Sequence, residues 1–238
     1  MIDTDLSSVV DVFGPWMCTV AASTTDRRQV ANLTLGNGAI YQGESSLPAF
    51  PAVGPAQIVL GEGAAAIGAD AADARRCYGG SLDPAKTAGK IVVCDRGGNF
   101  RVEKSQEVQR AGGIGMVLIN VSPSQTSGET HYVDTVHLQD VDRDAVRQYV
   151  MSAGAAATAV IGPSTLVFGS EPAPQMAPFS SRGPILAGDG NLLKPDITAP
   201  GVNIVAGWPP SVDPWGYREQ ILSGEPAAAI MLPLVSSS

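Results

Sequence analysis

Short apolar runs, each closed by glycine, proline or a small polar residue, carry most of the pattern in this chain. Ile91-Val92-Val93-Cys94 and Ile114-Gly115-Met116-Val117-Leu118-Ile119 are nearly continuous in apolar character, as buried strands are. Between them, residues 103–111 hold no helix breaker before Gly112-Gly113, so this stretch reads as a helix. Strand, helix and strand then follow within about 30 residues, the order of a βαβ unit. Residues 19–23 and 29–35 read as strands, with Gly36-Asn37-Gly38 as a hairpin turn. Residues 58–60, 135–138, 156–161, 165–168 and 204–206 read as further short strands. Residues 141–152 place Val141, Ala145, Val146, Tyr149 and Val150 on one face, with Gly154 just beyond: an amphipathic helix with a stop signal.

Proline and glycine divide these elements. Pro48, Pro51, Gly54 and Pro55 mark one boundary, and Glu171-Pro172-Ala173-Pro174 an exit linker. The expected organisation is an N-terminal flank over 1–52, a compact mixed α/β, barrel- or sandwich-like domain over 53–168, and a second flank over 169–208. Residues 209–238 form an atypical, loop-rich tail, expected to be poorly ordered. At 238 residues and 44% hydrophobic content, the chain can bury a sizeable core. Aromatics are 5% against 27 glycines and 18 prolines, which favours strands and turns over a helical bundle. The net charge of −8 makes non-specific nucleic-acid binding a poor fit. No apolar run is long enough for a membrane span.

Three cysteines allow at most one internal pair. Cys77 with Cys94 is favoured, with Cys18 a buried thiol in an apolar run; three buried free thiols remain the alternative. A disulfide implies an oxidising compartment. The chain opens Met1-Ile2-Asp3-Thr4, without the basic-then-apolar pattern of a signal peptide, so a secreted origin implies a trimmed or excised piece.

The chemistry-bearing residues are sparse. His131 and His137 lie near Asp134 and Asp140, but a metal site needs three or four converging ligands, so both histidines read as surface or loop residues and no metal or cofactor is expected. Gly112, Gly113 and Gly115 close a helix and open a strand, the reverse of a dinucleotide-binding turn. Asp196, between Pro195 and Ile197, reads as a structural, hydrogen-bonding carboxylate.

Three separated segments carry a family resemblance. Pro15-Trp16, Thr19-Val20-Ala21-Ala22-Ser23-Thr24, Asp26-Arg27 and Leu35-Gly36-Asn37-Gly38 form the first. Cys77, Leu82-Asp83-Pro84, Gly89-Lys90-Ile91-Val92-Val93-Cys94-Asp95-Arg96-Gly97 and residues 111–120 form the second. Phe179-Ser180-Ser181-Arg182-Gly183-Pro184 with Lys194-Pro195-Asp196-Ile197-Thr198-Ala199-Pro200-Gly201 form the third. Together they resemble the subtilisin-like serine proteases that carry an inserted protease-associated domain, over most of residues 15–208.

The resemblance implies an incomplete α/β catalytic domain flanking a complete protease-associated domain. Serine peptide hydrolysis needs a nucleophilic serine, a histidine base and an orienting carboxylate. In subtilases the aspartate, histidine and oxyanion-asparagine motifs precede the region matched here. The nucleophile normally sits in a Gly-Thr-Ser-Met-Ala context; the nearest stretch is Ser223-Gly224-Glu225-Pro226-Ala227-Ala228, with Pro226 in the serine's place. The chain is therefore expected to be inactive alone. The implied partners are the rest of the catalytic domain, a peptide or protein substrate of the secreted parent enzyme, and a second copy through uncovered flank surface. A standalone binding or scaffold protein and a serine hydrolase with a non-family triad are the alternatives.

Overall fold

The structure, a computed structural model, describes residues 16–170, 172–181, 183, 191–207 and 219–222. Its contacts divide the chain into two units: Arg28–Val167, and Met1–Arg27 together with Phe168–Ser238. In chain order the strands are β1 (Val20–Ser23), β2 (Arg27–Leu35), β3 (Ile40–Ser45), β4 (Val53–Leu60), β5 (Ile91–Asp95), β6 (Gly115–Ile119), β7 (Asp134–Leu138), β8 (Thr158–Ile161), β9 (Thr165–Phe168), β10 (Ile197–Pro200), β11 (Ile204–Gly207) and β12 (Glu219–Leu222). The helices are α1 (Ala71–Arg75), α2 (Pro84–Thr87), α3 (Arg101–Arg110) and α4 (Arg143–Ala153).

In the unit Arg28–Val167, strands pair in the order β3-β7-β6-β5-β4-β8-β2, and β2 pairs back with β3, closing a barrel; β9 extends from β2. β4 to β7 run parallel, while β2, β3 and β8 join antiparallel. Closure leaves few free strand edges. The unit takes in β2 and β3, which lie ahead of residue 53, because Glu44 pairs with His137 and Leu33 with Ile161.

Alternation along β5 and β6 explains their unbroken apolar character. Ile91, Val93, Val117 and Ile119 enter the barrel core with Leu33, Ile58, Val136, Leu138 and Ile161. Val92, Cys94, Met116 and Leu118 face outward into a second core with Ala74, Cys77, Leu82, Val108 and Ala111. Each fully buried large aliphatic side chain contributes about 1.5–3 kcal/mol. The approach of β3 to β7 requires Gly43, where a Cβ would stand 2.4 Å from the His137 carbonyl oxygen. Gly112, at φ +78, turns the chain from α3 toward β6, and the Gly113 amide donates to the Val108 carbonyl at 2.8 Å.

Two expectations are corrected. The 141–152 helix begins at Arg143, after a 3-10 turn at Asp140–Asp142 that leaves Val141 81% exposed. Ala145 also faces solvent; the packed face is Val146, Val150, the half-buried Tyr149 and Ala153. Cys18 is exposed, not buried: the strand pairing of β1 begins at Val20 with Ile197, two residues beyond it, and only Thr19 between them is covered.

In the smaller unit, β1 and β10 pair in parallel and β11 pairs antiparallel with β12. Ala22, Ala177 and Val202 make a small core against Phe179. The expectation for residues 209–238 lies largely outside the described residues. Among the described residues, no helix is long and apolar enough to cross a membrane.

Candidate functional site

Four parallel strands end on one side of the barrel, and the carboxyl ends of such strands are where α/β folds gather functional groups. Glu62 follows β4, Asp95 closes β5 ahead of Arg96-Gly97-Gly98, and Asn120 follows β6. Arg143 and Arg147, one turn apart on α4, reach the same place. Arg143 grips Asp95 through Nε at 3.2 Å and Nη2 at 2.5 Å. Arg147 pairs with Glu62 and lies 3.8 Å from Asp95; Arg75 Nε lies 3.3 Å from Glu62. Burial alone would raise the Glu62 pKa, but Arg147 and Arg75 hold it below the usual carboxylate range. The hydrogen bond to Asp95 raises that of Arg143.

Beside this chain of alternating charge lies an open cleft of about 450 Å³, lined by Arg75, Arg76, Asp95, Arg96, Gly97-Gly98 and Arg143. Arg96 Nη1 is fixed by the Asn120 side-chain oxygen at 3.3 Å, the Gln125 carbonyl at 3.2 Å and the Ser124 hydroxyl. Beneath the cleft, Lys104 is completely buried. Its Nζ donates to the Arg76 carbonyl at 2.6 Å, the Gly97 carbonyl at 3.0 Å and the Asn99 side-chain oxygen, so one ammonium ties two walls together.

Burial, reinforced by Arg76 and opposed by Asp95 and Glu103, pulls the Lys104 pKa down from 10.5 to about 7. The unfolded chain therefore binds the proton more tightly than the folded one. Stability from this group is missing below the folded value and rises with pH between about 7 and 10.5. The urea midpoint is expected to rise from pH 7 to 9.5 in the parent chain, and this Lys104 contribution to disappear in Lys104→Met. Equal slopes in both would refute the assignment.

His131 lies in the loop ahead of β7 and is half-buried, whereas His137 is neither a surface nor a loop residue. His137 lies in β7 and is 1% exposed. Its Nδ1 accepts from the Ser127 amide at 3.1 Å, which leaves Nε2–H to donate to Asn120 Oδ1 at 2.9 Å. Burial, with Arg101 and Arg96, keeps its pKa well below the ordinary value. Burial lowers His131 to about 4, so its ring is neutral at pH 7. His131 Nδ1 lies 3.0 Å from Ser105 Oγ, the one serine–histidine approach of this kind in the described residues. Ser105 is completely buried, and its Oγ donates to the Val102 carbonyl at 2.7 Å and accepts from the Tyr132 amide at 3.1 Å. His131 Nε2 has no hydrogen-bond partner among the described residues, so no carboxylate orients the ring. This is a packed polar contact, not a nucleophile and base. No group of three metal-ligating side chains occurs among the described residues.

In the smaller unit, Asp196 Oδ2 accepts from the Thr19 amide at 2.7 Å and from Lys194 Nζ at 2.5 Å. Lys194 also donates to the Met17 carbonyl at 2.6 Å. The Lys194 hydrogen bond, then the Thr19 amide, holds the Asp196 pKa low. Ser180 Oγ accepts from the Ala22 amide at 3.0 Å, while Ser181 is exposed. Gly201 donates to the Ser23 carbonyl at 2.9 Å, and Pro200 pairs with Ser23. At Gly183 a Cβ would stand 2.0 Å from the Lys194 carbonyl oxygen. Pro195 precedes Asp196 in the same strip. These residues bind β1 to its neighbours.

Comparison with known proteins bears on this arrangement. The family model of the PA domain matches residues 56–146, which include the cleft and the Cys77–Cys94 bond. Over 210 residues the chain is 45% identical to subtilisin-like protease SBT5.3 of Arabidopsis thaliana, covering 87% of this chain and 27% of that protein. It is 39% identical over 202 residues to subtilisin-like protease SBT1.4 of the same plant, covering 84% of this chain and 25% of that protein. The chain carries a protease-associated domain within a subtilase-type region. It spans about a quarter of the length of these relatives, with shares of 27% and 25%. A solved aminopeptidase from Aneurinibacillus sp. strain AM-1 aligns at a TM-score of 0.38 and 16% identity, over 62% of this chain and 34% of that one, too low a score to carry an argument.

Within the protease-associated domain, Cys77 and Cys94 are bonded. Gly89, at φ +72, donates to the Gly112 carbonyl at 2.9 Å, and the Lys90 carbonyl accepts from Ile114 at 2.9 Å, so these motif glycines lock the entries of β5 and β6 together. Arg182, Pro184 and Pro226 lie outside the described residues. The arginine cleft went unread in the sequence. The signals for it were Arg75-Arg76 as a doublet, Asp95-Arg96 directly after a buried strand, and Arg143 with Arg147 at helical spacing.

Proposed function

We propose that this chain is a non-catalytic stretch of a secreted subtilisin-like serine endopeptidase, whose protease-associated domain serves substrate access, peptide binding or dimer contacts. The observation that carries this reading is similarity at 45% identity running through 87% of the chain, across both structural units. A disulfide in the compact unit fits an oxidising, extracellular setting. Trp16, Leu193 and Ile197 of the smaller unit are 85%, 77% and 55% exposed, apolar surface suited to the remainder of a catalytic domain or to a second copy. Substrates of the parent enzyme are peptides or proteins on this reading. The geometry of Ser105 and His131 speaks against the alternative of a non-family triad.

Intact mass after exposure to a broad serine-directed phosphonate tests the reading. The expected result is no adduct, with reduction adding only the mass of two hydrogen atoms. One stoichiometric adduct would overturn it, and the labelled serine would identify the active site.

A further inference from the structure

We propose that the cleft at the carboxyl ends of β5 and β6 is a binding site for a tetrahedral dianion, a phosphate- or sulfate-type group. Four guanidinium groups line it against a single carboxylate, in a chain whose net charge is −8. That carboxylate, Asp95, is already held by Arg143 and approached by Arg147. Behind the wall Glu62 is shared by Arg147 and Arg75, and the exposed Asp144 lies 3.6 Å from Arg143, which leaves Arg76 and Arg96 without a carboxylate partner among the described residues. The positive surplus therefore belongs to the cleft.

The donors facing this space are underused. The Arg76 guanidinium is exposed and makes no hydrogen bond or ion pair within the described residues. Arg96 spends only Nη1 on protein acceptors, which orients the group while leaving Nε and Nη2 available. The Gly97 and Gly98 amides donate to no acceptor among the described residues, on a backbone at φ +112 and +83. At φ +83 residue 98 holds a backbone conformation that L side chains rarely adopt, so glycine suits this path. Two guanidinium groups and two backbone amides suit several oxygens at one centre, more than the two a carboxylate offers. Lys104 holds both walls from below through the Arg76 and Gly97 carbonyls. The volume of about 450 Å³ admits such a group free or as an ester on a larger molecule.

The test is a titration of the full, isotopically labelled chain at constant ionic strength, followed by amide NMR. The probes are inorganic phosphate, inorganic sulfate, phenyl phosphate, and acetate as the carboxylate control. Saturable shifts of the Gly97 and Gly98 amides are expected with phosphate or sulfate, with acetate at least about tenfold weaker. Arg76→Gln, which disturbs no internal contact, should weaken binding about fivefold to tenfold; Arg96→Gln should weaken it at least as much. Tighter binding of phenyl phosphate than of inorganic phosphate would indicate an ester ligand, and the reverse a free ion; both support the site. Acetate binding as tightly as phosphate, an unchanged affinity in Arg76→Gln, or no saturable shift at residues 97–98 would each overturn it.

Discussion

Reducing the Cys77–Cys94 bond lowers the unfolding free energy of the compact unit by about 3 kcal/mol. The bond closes a loop with a sequence separation of 17 and joins the end of α1 to β5. Once it is cut, the unfolded chain regains the freedom of that loop, which is the origin of most of the effect. Both sulfurs lie in the second core at 0% exposure, so native reduction is slow and the comparison belongs in denaturant with and without reductant. At a urea dependence of about 1–3 kcal/mol/M, the midpoint should fall by about 1–3 M. An unchanged midpoint, with the thiols shown to be free, would mean that the hydrophobic packing alone determines the stability of this unit. Cys77→Ala with Cys94→Ala should fall further, because two buried sulfurs are lost from the core as well.

Glu107→Ala is the second large effect, at about 3 kcal/mol. The Glu107 side chain is 1% exposed and does four things at once. Its Oε1 accepts from the Leu82 amide at 2.8 Å and its Oε2 from the Gly80 amide at 2.9 Å. Arg110 clamps it through Nε and Nη2, both at 2.6 Å. Alanine strands the amide of Leu82, a residue at 0% exposure, in the second core. Arg110, by contrast, is 47% exposed and can return to water, so Arg110→Gln should cost about 1 kcal/mol. Burial alone would raise the Glu107 pKa, but Arg110 and the two amides together lower it below 4.5. Its stabilisation is therefore present above pH 4.5 and lost as pH falls through the folded value. Urea midpoints from pH 7 down to 3 should show this loss in the parent chain and a shallower one in Glu107→Gln. A cost below about 1 kcal/mol for Glu107→Ala would show that water replaces the carboxylate at residues 80–82.

Element by element, what the sequence revealed depended on what each element buries. β5 and β6 were legible because both faces are apolar and both are covered. α3 was legible only through the glycines that end it. Its buried positions are Lys104, Ser105, Glu107 and Val108, so its packing is polar and leaves almost no hydrophobic period to read. α1 and α2 were missed because each holds about one turn and rests on an Asp70 or Asp83 cap rather than an apolar face. Cys18 looked buried from its apolar neighbours, yet it is exposed, two residues ahead of the pairing of β1. His137 looked superficial for want of a motif, yet β7 carries it into a polar network with Ser127 and Asn120, while His131 stays in the loop before that strand.

By itself the sequence determined the strands that bury both faces, the glycine turns between them, the family resemblance and the cysteine pair it favoured. Only the tertiary structure decided that β2 and β3 close the barrel, because Glu44 meets His137 and Leu33 meets Ile161 across distant stretches of chain. It also decided that Arg75, Arg76, Arg96 and Arg143 share one cleft. Local pattern records which face of an element avoids water; it carries no record of which distant charges the parallel strands bring to a common end.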